Sequence, residues 1–354
     1  MNDMTKDEFN AYVRDHIVDR LPDQLKNAKI DLMQVNKSNG RTLDAISITA
    51  ENMDIKGGPL VYLNDYYEDY QSGVPETVIL HNISQNVVKA LEQMSEIIGF
   101  SIDKFQDYPF MKERLSLRIC DLEKNKSFLE DKPILKTEGD FAAYAVIEIG
   151  NAQQMTGSAA ITESMISNWG ITKKELLEDT IASDKKRCAP ALYDVIEITD
   201  SILSGGQCKN LLDSDPSVVR KSHEPKMYVL TTERREQGAS VIMDEEIRKK
   251  VGHFLKEDYY VLPSSIHEVM ILPADFGNVR DLNAIVHEIN ENSVDIRDRL
   301  SDKVQFVDGK TGKMMNAEIH EQETKKHSLS YFPEEEPKKE PKKKTEKKKK
   351  GPSE

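Results

Sequence analysis

Chemistry on a polypeptide needs a nucleophile, a base or a set of metal ligands spaced so that they can meet. Ser264, Ser265, His267 and Glu268 stand together between Pro263 and Pro273. Two hydroxyls, an imidazole and a carboxylate are the parts of a hydrolase centre. A nucleophilic serine, however, needs a base within reach of Oγ and an oxyanion hole close by. No G-x-S-x-G elbow surrounds either serine, and a polar turn between prolines accounts for the same residues. His267-Glu268 and His287-Glu288 open like a zinc motif, but Ile271 and Glu291 stand where H-E-x-x-H requires its second histidine. His287 lies well away from the apolar side of its helix and should face water. His267 should share a strand face with Val269 and Ile271. No metal is expected, and no cofactor. Gly309-Lys310-Thr311 ends like a phosphate-binding loop, yet Val304 occupies the position of its first glycine, so a plain turn is expected.

The densest aromatic–acidic cluster runs from Tyr62 to Tyr70. If the segment is helical from Asn64 or Asp65, Tyr66 and Tyr70 align, as do Asp65 and Asp69. Tyr62, Asp65, Tyr66, Asp69 and Tyr70 are then a candidate surface for a basic peptide or a cation. The competing reading is a helix start whose tyrosines cover the core. Cys120, Cys188 and Cys208 sit in no recognisable reactive context and are expected to be small, partly buried side chains.

Compartment and partners follow from composition. Three cysteines without a C-x-x-C spacing argue against a secreted disulfide framework and for a reducing compartment. The first residues lack the apolar stretch of a signal peptide, and no window is long and apolar enough to span a bilayer. Cytoplasm is the expected address. The net charge of −13 is divided unevenly: nine lysines and six glutamates after Pro333 give that segment +3 and leave −16 for what precedes it. An acidic body repels nucleic acid, whereas Lys342, Lys343, Lys344, Lys347, Lys348, Lys349 and Lys350 could contact phosphates without sequence preference. No aromatics are interleaved there to stack on bases.

These groups are carried on helices and strands that alternate without a regular βα repeat. Thr5 and Glu8 form a capping box opening a helix with Phe9, Val13, Ile17 and Leu21 on one stripe. Alternating runs from Lys29 to Val35 and Thr42 to Thr49 flank Asn39-Gly40, a hairpin turn pair. A long helix spans 75–98, with Leu80, Ile83, Val87, Leu91, Met94 and Ile98 on its core face. Strands are predicted at 115–122 and 141–149, and helices at 172–183 and near 191–202. Further strands are predicted at 226–232, 239–243, 259–262 and 266–272, helices at 244–255 and from Asn278, and a terminal hairpin through Asp308-Gly309. The fold class is α+β, with mixed or antiparallel sheets and several packed helices. Three regions (1–110, 111–220 and 221–320) precede a Lys/Glu/Pro-rich tail at 321–354 that should be disordered.

Taken in order, Tyr62-Leu63-Asn64-Asp65-Tyr66-Tyr67, Gly157-Ser158-Ala159, Trp169-Gly170-Ile171-Thr172, Met227-Tyr228-Val229-Leu230 and Tyr260 through Val269 with Leu300-Ser301-Asp302 resemble the bacterial domain-of-unknown-function family 5688. The resemblance covers about residues 8–316 and implies a bacterial cytoplasmic setting; it carries over no activity, cofactor or catalytic residue. The lysine tail departs from that pattern. The sequence therefore points first to a non-catalytic binding or regulatory protein with a protein or peptide partner. A hydrolase centred on Ser264, Ser265, His267 and Glu268, or a nucleic-acid-associated protein acting through the tail, is the alternative. Oligomeric state is not legible.

Overall fold

The computed structural model describes residues 4–49, 60–97, 106–151, 154–214 and 226–330. Helix α1 (Lys6–His16) opens on the Thr5–Glu8 capping box, each side chain satisfying a free amide of the other end. Strands β1 (Lys29–Asn36) and β2 (Thr42–Thr49) pair antiparallel, and β3 (Leu60–Tyr62) adds to β2. Asn39 and Gly40 turn the hairpin with φ of 63° and 65°, the left-handed backbone that selects these two residue types. Helices α2 (Asn64–Gln71) and α3 (Glu76–Ile97) close this unit. Phe9, Val13, Ile46, Ile48, Leu63, Ile79, Ile83 and Val87 form its core. The side chains of Leu91 and Met94, and residue Ile98, lie outside the described residues.

The rest of the chain builds two more sheets, every pairing again antiparallel. In the first, β6 (Phe141–Asn151) is central, with β4 (Leu115–Asp121) along one side and β5 (Lys136–Glu138) and β7 (Gln154–Ala160) sharing the other. The second has six strands in the order β13-β12-β10-β11-β9-β8, where β8 is Pro190–Asp194, β9 Tyr228–Thr232, β10 Tyr259–Leu262, β11 Val269–Pro273, β12 Gln305–Val307 and β13 Met314–Asn316. Along β10 the pleat sends Tyr259 and Val261 into one core and Tyr260 and Leu262 into another. The first of these cores also holds Leu117, Ile119, Phe141 and Ala143 of the four-stranded sheet, so the two sheets are packed together. The second is covered by α10 (Val279–Ser293) through Val279, Leu282 and Val286.

The outer face of the four-stranded sheet is covered by α4 (Tyr108–Lys112), α6 (Glu163–Trp169) and α7 (Lys173–Arg187), which meet Leu115, Ala145 and Ile147 through Met111, Ile166 and Leu176. Short α5 (Lys126–Leu129) and α8 (Val195–Ser204), then α9 (Glu245–Leu255) and α11 (Ala317–Ser330), complete the α+β fold. Arg248 of α9 is 1% exposed and ties the layers together. It donates to the carbonyls of Ile242 and Gly312 and lies 3.2 Å from Glu138 of β5.

Four local expectations are corrected. The run 239–243 is not a strand: Gly238–Met243 is a 3₁₀ helix, its first amides held by the carbonyls of His267 and Ile266. The segment 191–202 divides into β8 and α8 because Asp194 caps the helix through the amides of Ile196 and Glu197. The strand expected from Ile266 begins at Val269, leaving His267 ahead of it. Residues 321–330, placed in the tail, are helical in α11; the remainder of that segment lies outside the described residues.

Candidate functional site

A cavity of about 470 Å³ opens between α7, the edge of β4, the loop after β9 and the 3₁₀ helix. Its apolar wall is Leu117, Leu177, Ile181, Val241 and Ile247, and its polar side gathers Arg118 of β4, Glu148 of β6, Arg187 at the end of α7 and Arg234 of the 233–237 loop. Arg118 Nη2 donates to Glu148 Oε1 at 2.8 Å, Arg187 Nη1 pairs with the other oxygen, and Arg234 Nη1 lies 3.8 Å from it. Burial alone would raise the Glu148 carboxyl; the hydrogen bond from Arg118 and the nearby guanidinium of Arg187 hold it below its ordinary value of 4.5. Asp184 accepts from the Leu117 amide at 2.7 Å and from Arg187 at 3.1 Å. Its burial is the stronger influence and leaves its carboxyl above its ordinary value.

The loop that presents Arg234 is unusual in backbone. Arg235 and Gln237 adopt φ of 58° and 52°, a region that non-glycine residues occupy at a cost and that clusters at binding sites. Beneath this loop the Cys188 thiol accepts the Arg234 amide at 3.3 Å. Of the other cysteines, Cys208 has its thiol raised by burial and Cys120 is buried, its thiol pushed up to about 12.

The residues singled out in the sequence lie elsewhere. Ser265 is buried and its hydroxyl accepts the His267 amide at 3.0 Å. The His267 ring accepts the Gln237 amide on Nδ1 at 3.2 Å and places Nε2 3.5 Å from Asp298. Both ring nitrogens are thus engaged with groups other than Ser264 or Ser265. Glu268 has its carboxyl raised by burial, partly offset by His267 and Ser265. None of these four lines the cavity, but His267 supports its wall: its carbonyl accepts both the Gly238 amide at 2.9 Å and the Thr231 hydroxyl at 2.7 Å. A Cβ on Gly238 would meet Thr231 Oγ1 at 2.2 Å, so the approach requires glycine.

In the Tyr62–Tyr70 segment, the rings of Tyr67 and Tyr70 each lie tilted against Phe9 of the N-terminal core, centroids 5.4 Å apart, and both hydroxyls bond the backbone of Met4. Tyr66 accepts from Asn86 at 2.6 Å, Tyr62 lies under the Lys37 ammonium at 4.4 Å, and Asp65 and Asp69 are exposed. The helix is the one expected, with tyrosines against the core and carboxylates in water. His287 is 64% exposed, 3.9 Å from Asp302. Among the described residues no group of three or more His, Cys, Asp or Glu could hold a metal. At Gly309-Lys310-Thr311 the Lys310 and Thr311 amides bond Asp308 and the Gly309 amide bonds Asp258. The donors a phosphate would use are taken. The tail lysines from Lys342 to Lys350 fall outside the described residues.

Sequence reasoning missed the arginine cluster. Its members come from four elements, and no local spacing announces them. Among the described residues no helix is long and apolar enough to cross a membrane. A family model described as a family of unknown function (DUF5688) matches residues 6–308. No curated protein and no solved structure matches the chain.

Proposed function

For a chain that belongs to this family of unknown function, we propose a non-catalytic binding role in which the cavity beside Arg118, Glu148, Arg187 and Arg234 holds a small ligand. The observation carrying this reading is the pairing of an apolar wall with one convergent charged side in a concave space of about 470 Å³. Pockets for small organic ligands have this make-up. The ionisable groups there support binding over catalysis. Glu148 is held by two guanidiniums and drawn below its ordinary range, which makes it a weak proton acceptor near neutral pH. A cytoplasmic, bacterial setting belongs to the same proposal, supported by free cysteines at 120, 188 and 208.

The test is a thermal-shift screen of small organic molecules on the full chain and on Val241→Trp, which fills the wall side of the cavity. A ligand at a hundredfold its Kd should stabilise the native protein by about 2.7 kcal/mol. Hits are expected on the wild type and lost in Val241→Trp while its far-ultraviolet circular dichroism is retained. Hits that stabilise both proteins equally would place binding elsewhere.

A further inference from the structure

We propose that protonation of His267 loosens the loop that walls the cavity, so that acid opens the site. This is a regulation of the cavity and rests on the binding reading above for its consequence, though not for the movement itself. The loop joins β9 to the 3₁₀ helix and gives the cavity Arg234, Glu236 and Gln237. Two of its residues, Arg235 and Gln237, stand in the left-handed region, a conformation that persists only where surrounding contacts hold it. At Gln237 and Gly238 the holding is done by one residue. Gln237 donates its amide to His267 Nδ1 at 3.2 Å, and Gly238 donates the next amide to the His267 carbonyl at 2.9 Å. The carbonyl bond is indifferent to pH; the ring bond is not.

A backbone N–H can only donate, so Nδ1 must offer its lone pair, and the ring proton sits on Nε2, 3.5 Å from Asp298 Oδ1. Protonation adds a hydrogen at Nδ1. Two donors then face each other where a bond stood, and the left-handed Gln237 loses the contact that fixed it. The charges around the ring come from three sides. Asp298 lies at Nε2, and the adjacent Glu268 carboxylate interacts with the ring's charge. On the 295–299 segment Arg297 is paired with Asp295, and Arg299 with Glu291 and the Val294 carbonyl. Arg41 and Arg297 also share the field of Asp298. On the loop, Arg234 points to Glu148, Arg235 lies over the Tyr193 ring with Glu233 near it, and Glu236 lines the cavity. A protonated ring therefore has carboxylates to pair with, and the Gln237 amide is the contact that gives way. Imidazole is the side chain whose ordinary titration falls between about pH 5 and 8, and at 31% exposure the His267 side chain is open to water.

The experiment follows hydrogen–deuterium exchange of the full chain by mass spectrometry from about pH 8 to about pH 5.5, within the range of imidazole titration, each rate divided by the intrinsic rate at that pH. Peptides across 233–238 are expected to exchange about tenfold faster at the acid end, as the loss of one hydrogen bond implies, while peptides of α9 keep their protection. His267→Asn sets an amide oxygen in place of Nδ1 and has no proton to gain, so its loop should stay protected throughout. Glu268→Gln should keep the wild-type step. A wild-type loop equally protected at both ends of the range would overturn the proposal. So would a step that survives in His267→Asn, which places the titrating group elsewhere, or one that vanishes in Glu268→Gln, which makes that carboxylate the trigger. A His267→Asn loop unprotected at every pH would show that the contact with Asp298, and not the Gln237 bond, does the holding, and the proposal would fall with it. No ligand enters these measurements, so their outcome is separate from the thermal-shift comparison with Val241→Trp that tests the cavity.

Discussion

Glu148 carries the electrostatics of the cavity, and its folded-state proton affinity has consequences for stability. A carboxyl held below its ordinary 4.5 adds stability that is fully present above that value and is lost as pH falls through the folded pKa. Asp184, raised above its ordinary 3.8, acts in the opposite sense: its cost is absent in acid and grows as pH rises through the folded value. Glu148→Gln leaves two largely buried guanidiniums without their carboxylate, a change worth about 3 kcal/mol at neutral pH. Urea denaturation of wild type and variant should give a gap that is widest at neutral pH and closes as pH falls below the ordinary 4.5. A gap that stayed constant with pH would mean that packing, and not charge, ties Glu148 to the fold. Asp184→Asn should flatten the remaining pH dependence on the acid side of neutrality and raise neutral stability, since the amide keeps an acceptor for the Leu117 amide without the buried charge.

At the scale of elements, legibility followed range. The Thr5–Glu8 box was readable because it is closed by residues three apart. Asn39-Gly40 was readable because its backbone demand is local. The run 239–243 was misread because an apolar stretch of five fits strand or helix equally, and what decided it was the distant carbonyl of His267. Gly252 is a stronger case of distant control. In mid-helix α9 a glycine costs about 1 kcal/mol relative to alanine, yet a Cβ there would meet Gly309 O at 2.1 Å and Gly309 Cα at 2.4 Å. The contact is backbone against backbone and cannot be relieved by a rotamer. Gly252→Ala should therefore destabilise by about 2 kcal/mol or more despite its better helix propensity, read as a lower Tm. Lys250→Ala, on the same helix but exposed, should change it little. A more stable Gly252→Ala would show that the turn at Gly309 gives way.

For the whole molecule, the fold class was legible and the division of the chain was not. Residues 111–220 and 221–320 read as separate regions, but β8 pairs with β9 across that boundary and one core takes side chains from both. Periodicity reports which face of a strand is apolar, not which strand will lie beside it. The first region does keep its own core, and its hairpin tip reaches across to the rest. Asn39 donates its backbone amide to Asn125 Oδ1 at 2.6 Å and its side-chain amide to the carbonyls of Ile296 and Arg299 at 2.8 and 2.7 Å. Asn39→Gly keeps the left-handed turn while deleting the two side-chain bonds, so it tests the tie without breaking the hairpin. At about 1 kcal/mol for each lost bond, the N-terminal unit should uncouple. Calorimetry should then resolve a separate, lower-temperature transition for it beside a main transition close to that of the wild type. One transition lowered as a whole would mean that the units fold as a single cooperative body and that Asn39 only adds to their common stability.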